Sequence, residues 1–431
     1  MQNRDILALT ARQMAAAVRD GDLTARAIAE AHLECIEEAD GPVMAWQHLE
    51  PSEALEAADR IDAGDRSGPL AGVPIGVKDV IETADMPTGY GTAMYDGSRP
   101  LWNAPCVQLA QDAGSLILGK TVSTELAMAS PNKTRNPHNP AHTPGGSSSG
   151  SCAAVAAGMV PLAFGTQTSG SVIRPSSFCG VTALKPTFGL VNTVGIKVLC
   201  HGLDSLGIIG RNIGDVAACT AALSGRKELA EISAPQRPRL GVLLGTRLEH
   251  AEPCAIEMVE RVAKMAEAAG ADVTTIPVPD WFDGVFDLHE AVMGWEVTHS
   301  LAYEIRERWE DLTPVTRAML TEQGRTTEPQ YRAATQALPE IRRTADALFS
   351  QFDAVLTLAA PGEAPEGMPT GDPVYNRLWS VLHTPLIALP AGTGPRGLPV
   401  GVQLVGARGD DPRLAAAALF LEQCLATKTD S

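Results

Sequence analysis

"TPGGSSSGSCAAVAAG", residues 143–158, sets a proline, three glycines and four serines against a run of small apolar residues. Three readings compete for it. A linker is disfavoured, because the stretch is short and leads at once into an alanine-rich helix pattern rather than into a change of composition. A phosphate-binding loop needs a Lys and a Ser/Thr after its second glycine, whereas Gly150 is followed by Ser151 and Cys152. The nucleophile elbow, G-x-S-x-G, does match from Gly146 to Gly150, with Ser148 in the nucleophile's position. That reading asks for a buried strand before the serine and for acidic and histidine partners after it. A polar, proline-rich loop stands before it instead, and histidines 201, 250, 289, 299 and 383 lack a persuasive loop setting.

Outward from this stretch, residues 130–151 hold four prolines and almost no apolar side chain, so they read as one long loop, followed by a helix in the apolar residues from Cys152 to Phe164. A loop of that length inside a compact domain is usually functional. Upstream, residues 7–65 read as helices, with apolar positions three and four apart and Thr24 placed to cap the second one. "LAGVPIGVKDVIET" (70–83) is a strand signal, and residues 106–121 read as helix then strand. Downstream, "RLGVLL" from Arg239 and the helical pattern through Val273 form a βα unit, and residues 290–350 are mostly amphipathic helix. "FDAVLTLAAP", "TPLIALPAG" and "LPVGVQLVG" read as buried strands, and "PRLAAAALFLEQCL" as a closing helix. No internal repeat is present, and Ser233–Pro238 is the best boundary candidate.

Composition narrows the class. At 431 residues, 45% apolar and 4% aromatic, the chain suits helices packed closely on a sheet. A net charge of −17 without any Lys/Arg run disfavours nucleic acid and anionic membranes as partners and favours a small molecule. The eight cysteines are scattered without a C-x-x-C, which reads as buried thiols in a reducing compartment rather than metal ligands or disulfides. The N-terminal residues form a charged amphipathic pattern rather than an export signal, so a cytoplasmic location is expected. The longest apolar run is too short to span a membrane and is interrupted by Pro161.

A second serine-rich stretch, "FGTQTSGSVIRPSSFCG" (164–180), sets Thr168, Ser169, Gly170 and Ser171 in succession. Small residues in a row let consecutive backbone N–H groups turn toward one developing negative charge, although a plain tight turn has the same composition. Lys78 stands in an apolar run, where desolvation favours the neutral amine and hence a general base, unless the lysine lies at the wet end of its strand.

Together, "GVPIGVKD" (72–79), "PGGSSSGS" (144–151) and "GTQTSGS" (165–171) resemble the amidase signature family in order and spacing. The resemblance covers nearly the whole chain, including "FCGVTALKPTFG", "LDSLGIIGRNIGDVA" and "LPVGVQLVGARGDDPRL". It implies one α/β/α domain around a mixed sheet over residues 1–431, with a helical segment to about 65, a core to about 235 and a C-terminal portion beyond. It further implies Ser171 as nucleophile, Ser147 on a cis peptide as bridging serine and Lys78 as base. Backbone N–H groups of Thr168, Ser169, Gly170 and Ser171 would form the oxyanion hole, with Gly145, Gly146 and Ser148 supporting the loop. Hydrolysis of a carboxylic amide through a seryl acyl-enzyme follows, without metal or cofactor, and a homodimer is common among such proteins. Ester or carbamate cleavage, and the glutaminase-like component of a tRNA-dependent amidotransferase, are the alternatives. Gln167, Ser169 and Ser149 depart from the family's commoner Asp, Gly and Gly. "SVIRP" is most similar to the malonamidase-type branch, which implies that Arg174 holds a substrate carboxylate; pairing with an internal Asp or Glu fits the residue equally well. Lys185 of "ALKPTFG" reads as structural.

Overall fold

The computed structural model describes residues 3–427. Its core is one mixed sheet of eleven strands: β1 Trp46–Leu49, β2 Pro74–Lys78, β3 Leu116–Thr121, β4 Leu162–Gln167, β5 Thr182–Lys185, β6 Ser205–Gly210, β7 Arg239–Val242, β8 Asp272–Thr275, β9 Ala354–Leu358, β10 Leu386–Thr393 and β11 Pro399–Val405. The spatial order is β1-β3-β2-β4-β6-β5-β10-β11-β9-β7-β8. Strand β2 runs parallel to both β3 and β4, whereas β4, β6, β5, β10, β11 and β9 alternate in direction.

Strands β2 through β6 and β9 are buried along their whole length, which requires cover on both faces. Gly207 and Gly210 of β6 define the two layers, because strand residues of opposite parity point to opposite faces. A Cβ at Gly207 would strike Val172 beside the Ile173–Cys179 helix, and one at Gly210 would strike Val216 of the Ile213–Ser224 helix. The Ser149–Ala156 and Ile173–Cys179 helices pack together on the first face. The Ile213–Ser224, Asp411–Ala426 and Pro253–Ala268 helices succeed one another along the second. The result is the three-layer α/β/α arrangement expected from the sequence.

Three local expectations are corrected. The N-terminal helical stretch is broken by β1, four residues whose side chains are too few to reveal a period of two. The helix after the serine run stops at Ala156. Gly158 then adopts φ +75°, and the apolar residues from Leu162 form β4, so one apolar run serves two elements. The helix from Pro253 likewise ends at Ala268, and the residues beyond it supply β8. Thr24 caps as expected, accepting from the Ala27 N–H at 3.1 Å. Among the described residues, no helix is long and apolar enough to cross a membrane.

Candidate active site

Lys78 is the last residue of β2 and has no exposed surface. Its Nζ lies 2.7 Å from Ser147 Oγ and 2.7 Å from Thr166 Oγ1, both as donor. Burial pushes the ammonium down to about 7, against smaller upward pulls from Cys152 and Asp204. The lysine is therefore a desolvated amine at a buried strand end, and the wet-end alternative is removed.

Ser147 follows a cis peptide from Gly146, and its carbonyl accepts from the Thr124 N–H at 3.3 Å. The Ser148 N–H donates to the Ser171 carbonyl at 3.3 Å, which ties this loop to the turn after β4. Ser148 itself is fully buried; its hydroxyl donates to the Thr166 carbonyl and accepts from the Thr166 N–H. Its hydroxyl is thus spent on the edge of β4, and the elbow reading fails. Ser149 bonds the Val122 carbonyl and Ser151 the Phe164 carbonyl, so much of the serine run anchors the loop to the strands beneath. Gly145 needs its positive φ of +81°, and a Cβ there would also lie 2.9 Å from Pro175 Cα.

Ser171 sits between β4 and the Ile173–Cys179 helix and is partly exposed. Among the described residues its hydroxyl has no hydrogen-bond partner. The N–H groups of Ser169, Gly170 and Ser171 are also given to no other described residue, as an oxyanion site requires. The turn is held from outside. Thr168 Oγ1 donates to Asp204 Oδ1 at 2.5 Å, and Asp204 Oδ2 accepts from the N–H groups of Leu199 and Cys200. Burial pushes the Asp204 carboxyl up to about 6. Ser380 Oγ donates to the Ser169 carbonyl at 2.8 Å, and Gly170 presses on Asn376, whose Oδ1 would lie 2.4 Å from a Cβ. Gln167, a departure from the family's usual residue, accepts from the N–H groups of Val172 and Ile173 at 2.9 and 3.1 Å. Its longer side chain caps the next helix, which accounts for its tolerance there.

Arg174 is 4% exposed. Its Nε donates to the Thr370 carbonyl at 2.7 Å and its Nη2 to the Gly146 carbonyl at 2.6 Å. Nη1 is buried without a partner among the described residues. Burial pushes the guanidinium down to about 10, with Asp372 near enough to oppose it. The internal acid considered from the sequence forms no ion pair with Arg174; backbone carbonyls take its place. Lys185 is also buried, and its Nζ donates to the Pro186 carbonyl at 2.8 Å, away from both serines.

The one cluster of metal-ligand type among the described residues is Glu252, Cys254 and Glu363. Arg396 occupies it, with Nη2 3.0 Å from Glu252 and Nε 3.2 Å from Glu363. A guanidinium already supplies the positive charge there.

The amidase family model matches residues 27–415. The chain belongs to the amidase family. That membership makes it an enzyme of amide C–N bonds. It is 31% identical to the A-type component of the glutamyl-tRNA(Gln) amidotransferase of Acidothermus cellulolyticus, covering 99% of this chain and 96% of that one. A solved amidase superposes with a TM-score of 0.88 at 27% identity, over 97% of this amidase and all of the other. The peptide amidase of Stenotrophomonas maltophilia gives 0.84 at 28% identity, over 97% of each chain. Sequence reasoning missed Thr166, Asp204, His289, Asn376 and Ser380. Thr166 and Asp204 lie inside the quoted segments "GTQTSGS" and "LDSLGIIGRNIGDVA" but drew no role of their own, and His289, Asn376 and Ser380 lie in no recognisable local pattern.

Proposed function

We propose that this amidase hydrolyses a small carboxylic amide to acid and ammonia or amine through a seryl acyl-enzyme on Ser171. The observation that carries the reading is the 2.7 Å contact from Lys78 Nζ to Ser147 Oγ, in a loop bonded to Ser171. Neutral Lys78 takes a proton from Ser147, which takes one from Ser171 as its Oγ bonds to the carbonyl carbon. The carbonyl oxygen becomes an oxyanion facing the N–H groups of Thr168, Ser169, Gly170 and Ser171. Ser147 then protonates the departing nitrogen, regains a proton from Lys78, and the C–N bond breaks. Water enters by the same relay, releasing the acid and restoring Ser171.

Arg174 supports a narrower reading, in which the substrate carries an acid group. Its Nη1 is free to meet a carboxylate, while its other nitrogens hold the loop. The test is a panel of acidic and neutral amides with Ser171→Ala and Arg174→Ala. Ser171→Ala should fold normally and lose about 10⁴-fold or more in kcat. Arg174→Ala should slow every substrate through the freed Gly146 carbonyl, and acidic amides by a further 30-fold or so, the lower bound for a lost charge-assisted pair. Turnover at wild-type speed by Ser171→Ala overturns the mechanism; an equal loss on acidic and neutral amides overturns the acid-group reading.

A second reading, the glutaminase-like component of an amidotransferase, is favoured by the full-length similarity to glutamyl-tRNA(Gln) amidotransferase components. Glutamine hydrolysis that appears only with copurified partner proteins would establish it.

A further inference from the structure

The chemistry above leaves one polar pair beside the nucleophile unused. Ser169 stands two residues before Ser171; both are partly exposed, and Gly170 between them is buried. The Ser169 carbonyl is occupied by Ser380. Its hydroxyl oxygen lies 3.0 Å from Nε2 of His289. His289 arrives from a distant part of the chain, on the Gly284–Ser300 helix, and is 2% exposed. Its other ring nitrogen, Nδ1, is buried with no partner among the described residues.

The ring is neutral. Burial pushes it down to about 3, and Arg377 acts in the same direction. A neutral imidazole carries one N–H and one acceptor nitrogen. With the proton on Nδ1, a buried donor would be orphaned, which native structures avoid more strictly than an orphaned acceptor. With the proton on Nε2, His289 donates to Ser169 Oγ and only an acceptor is left unpaired. Ser169 Oγ then has its incoming bond satisfied from the protein side, and its own hydrogen is left for an acceptor on the partly exposed side that it shares with Ser171. A glycine at this position, the family's commoner residue, offers no such group.

We propose that Ser169 is a specificity-determining residue, held by the positioning residue His289 so that its hydroxyl donates to a hydrogen-bond acceptor on the acyl chain of the substrate. The inference rests on the reading of Ser171 as nucleophile, which puts the acyl chain beside Ser169. The substrates it selects are amides whose acyl chain carries a carbonyl, hydroxyl or carboxylate oxygen close to the scissile carbonyl.

Two amides of equal chain length separate this effect from general activity: acetoacetamide, with a ketone acceptor, and butyramide, without one. Wild type should prefer acetoacetamide. Ser169→Ala should lose roughly 3- to 10-fold of that preference, the worth of one neutral hydrogen bond, chiefly in KM and read as the acetoacetamide-to-butyramide ratio within each variant. His289→Phe should lose the same factor, and the double variant no more than either single one. His289→Gln, whose side-chain N–H can still donate, should keep most of the preference. If His289→Phe does not fold, Ser169→Ala and His289→Gln decide between them. The inference is overturned if wild type hydrolyses acetoacetamide no faster than butyramide, if Ser169→Ala slows both amides alike, or if the single losses multiply. Ser171→Ala separates the two levels: turnover in that variant removes the nucleophile reading, whereas a dead Ser171→Ala with an intact preference in Ser169→Ala removes this inference alone.

Discussion

Lys78, Lys120 and Lys185 are all buried, and burial pushes their ammonium groups down to about 7, about 8 and about 7. Desolvation therefore creates three candidate bases and selects none. The selection comes from what each Nζ meets. Lys120 is enclosed by the Ile81 carbonyl and Thr88, with Asp79 3.8 Å away, and Lys185 meets the Pro186 carbonyl. Of the three, only Lys78 bonds a serine of the loop tied to Ser171. With Lys78 as base, kcat/KM should rise through a pH of about 7 and stay high on the alkaline side, and Lys78→Met should abolish that limb together with activity. The same substitution should leave thermal stability equal or higher at pH 7, because an amine held below its unfolded value opposes folding. The sign is definite: the unfolded chain binds more protons between about 7 and 10.5, so this opposition is full below that window and fades as pH rises through it. A thermal-melt series should show the gain of Lys78→Met shrinking toward pH 10; a gain that grows with pH overturns the account. Lys78 was legible in the sequence as the one lysine at the end of an apolar run. That Lys185 shares its burial but not its neighbours was not, because neighbours across a sheet leave no local trace.

Helix starts carry much of the site's geometry. The Ser149–Ala156 helix begins where the serine loop meets β3, and Gly150 in its first turn lies against backbone: a Cβ would be 2.3 Å from both the Ala45 carbonyl oxygen and the Val122 nitrogen. Neither atom belongs to a side chain that can swing aside. Gly150→Ala should destabilise the protein by about 1–3 kcal/mol or more, the usual cost of overpacking, and should lower kcat as the loop bearing Ser147 shifts. Denaturant melts measure the first effect and single-substrate kinetics the second; a variant as stable and active as wild type contradicts the close packing. Element identity was legible where a segment had length and period, as in β10, β11 and the closing helix. It failed for β1, β4 and β8. Two are four residues long, and β4 shares its apolar run with the preceding helix, so composition changes after the structure does.

Across the whole molecule, β1 to β6 fill six adjacent places in the sheet and β7 to β11 the other five. The two blocks meet at β5 and β10, where Ala183, Leu184 and Lys185 pair with Ala388, Ile387 and Leu386. Lys78, Ser147 and Ser171 all belong to the first block, which is why short contiguous motifs made them legible. His289, Asn376 and Ser380 come from the second, and their roles exist only once the sheet has closed. A protease site placed in the exposed coil near Glu231–Arg237 tests this division. The nicked enzyme should stay associated and active through the seam. After the fragments are separated under denaturant, neither should regain activity alone; activity in the N-terminal fragment by itself refutes the need for the second block.

The same seam bears on inheritance. A crossover within that coil would exchange the length of gene that encodes His289, Asn376 and Ser380 while leaving the lysine and both serines with their ancestral partners. Both blocks of strands would arrive intact, with the β5–β10 pairing and the helix contacts across it, such as those of the Ile213–Ser224 helix with the Asp411–Ala426 helix, to be met again. New substrate preferences could then be acquired in one recombination, without the reacting groups being reinvented.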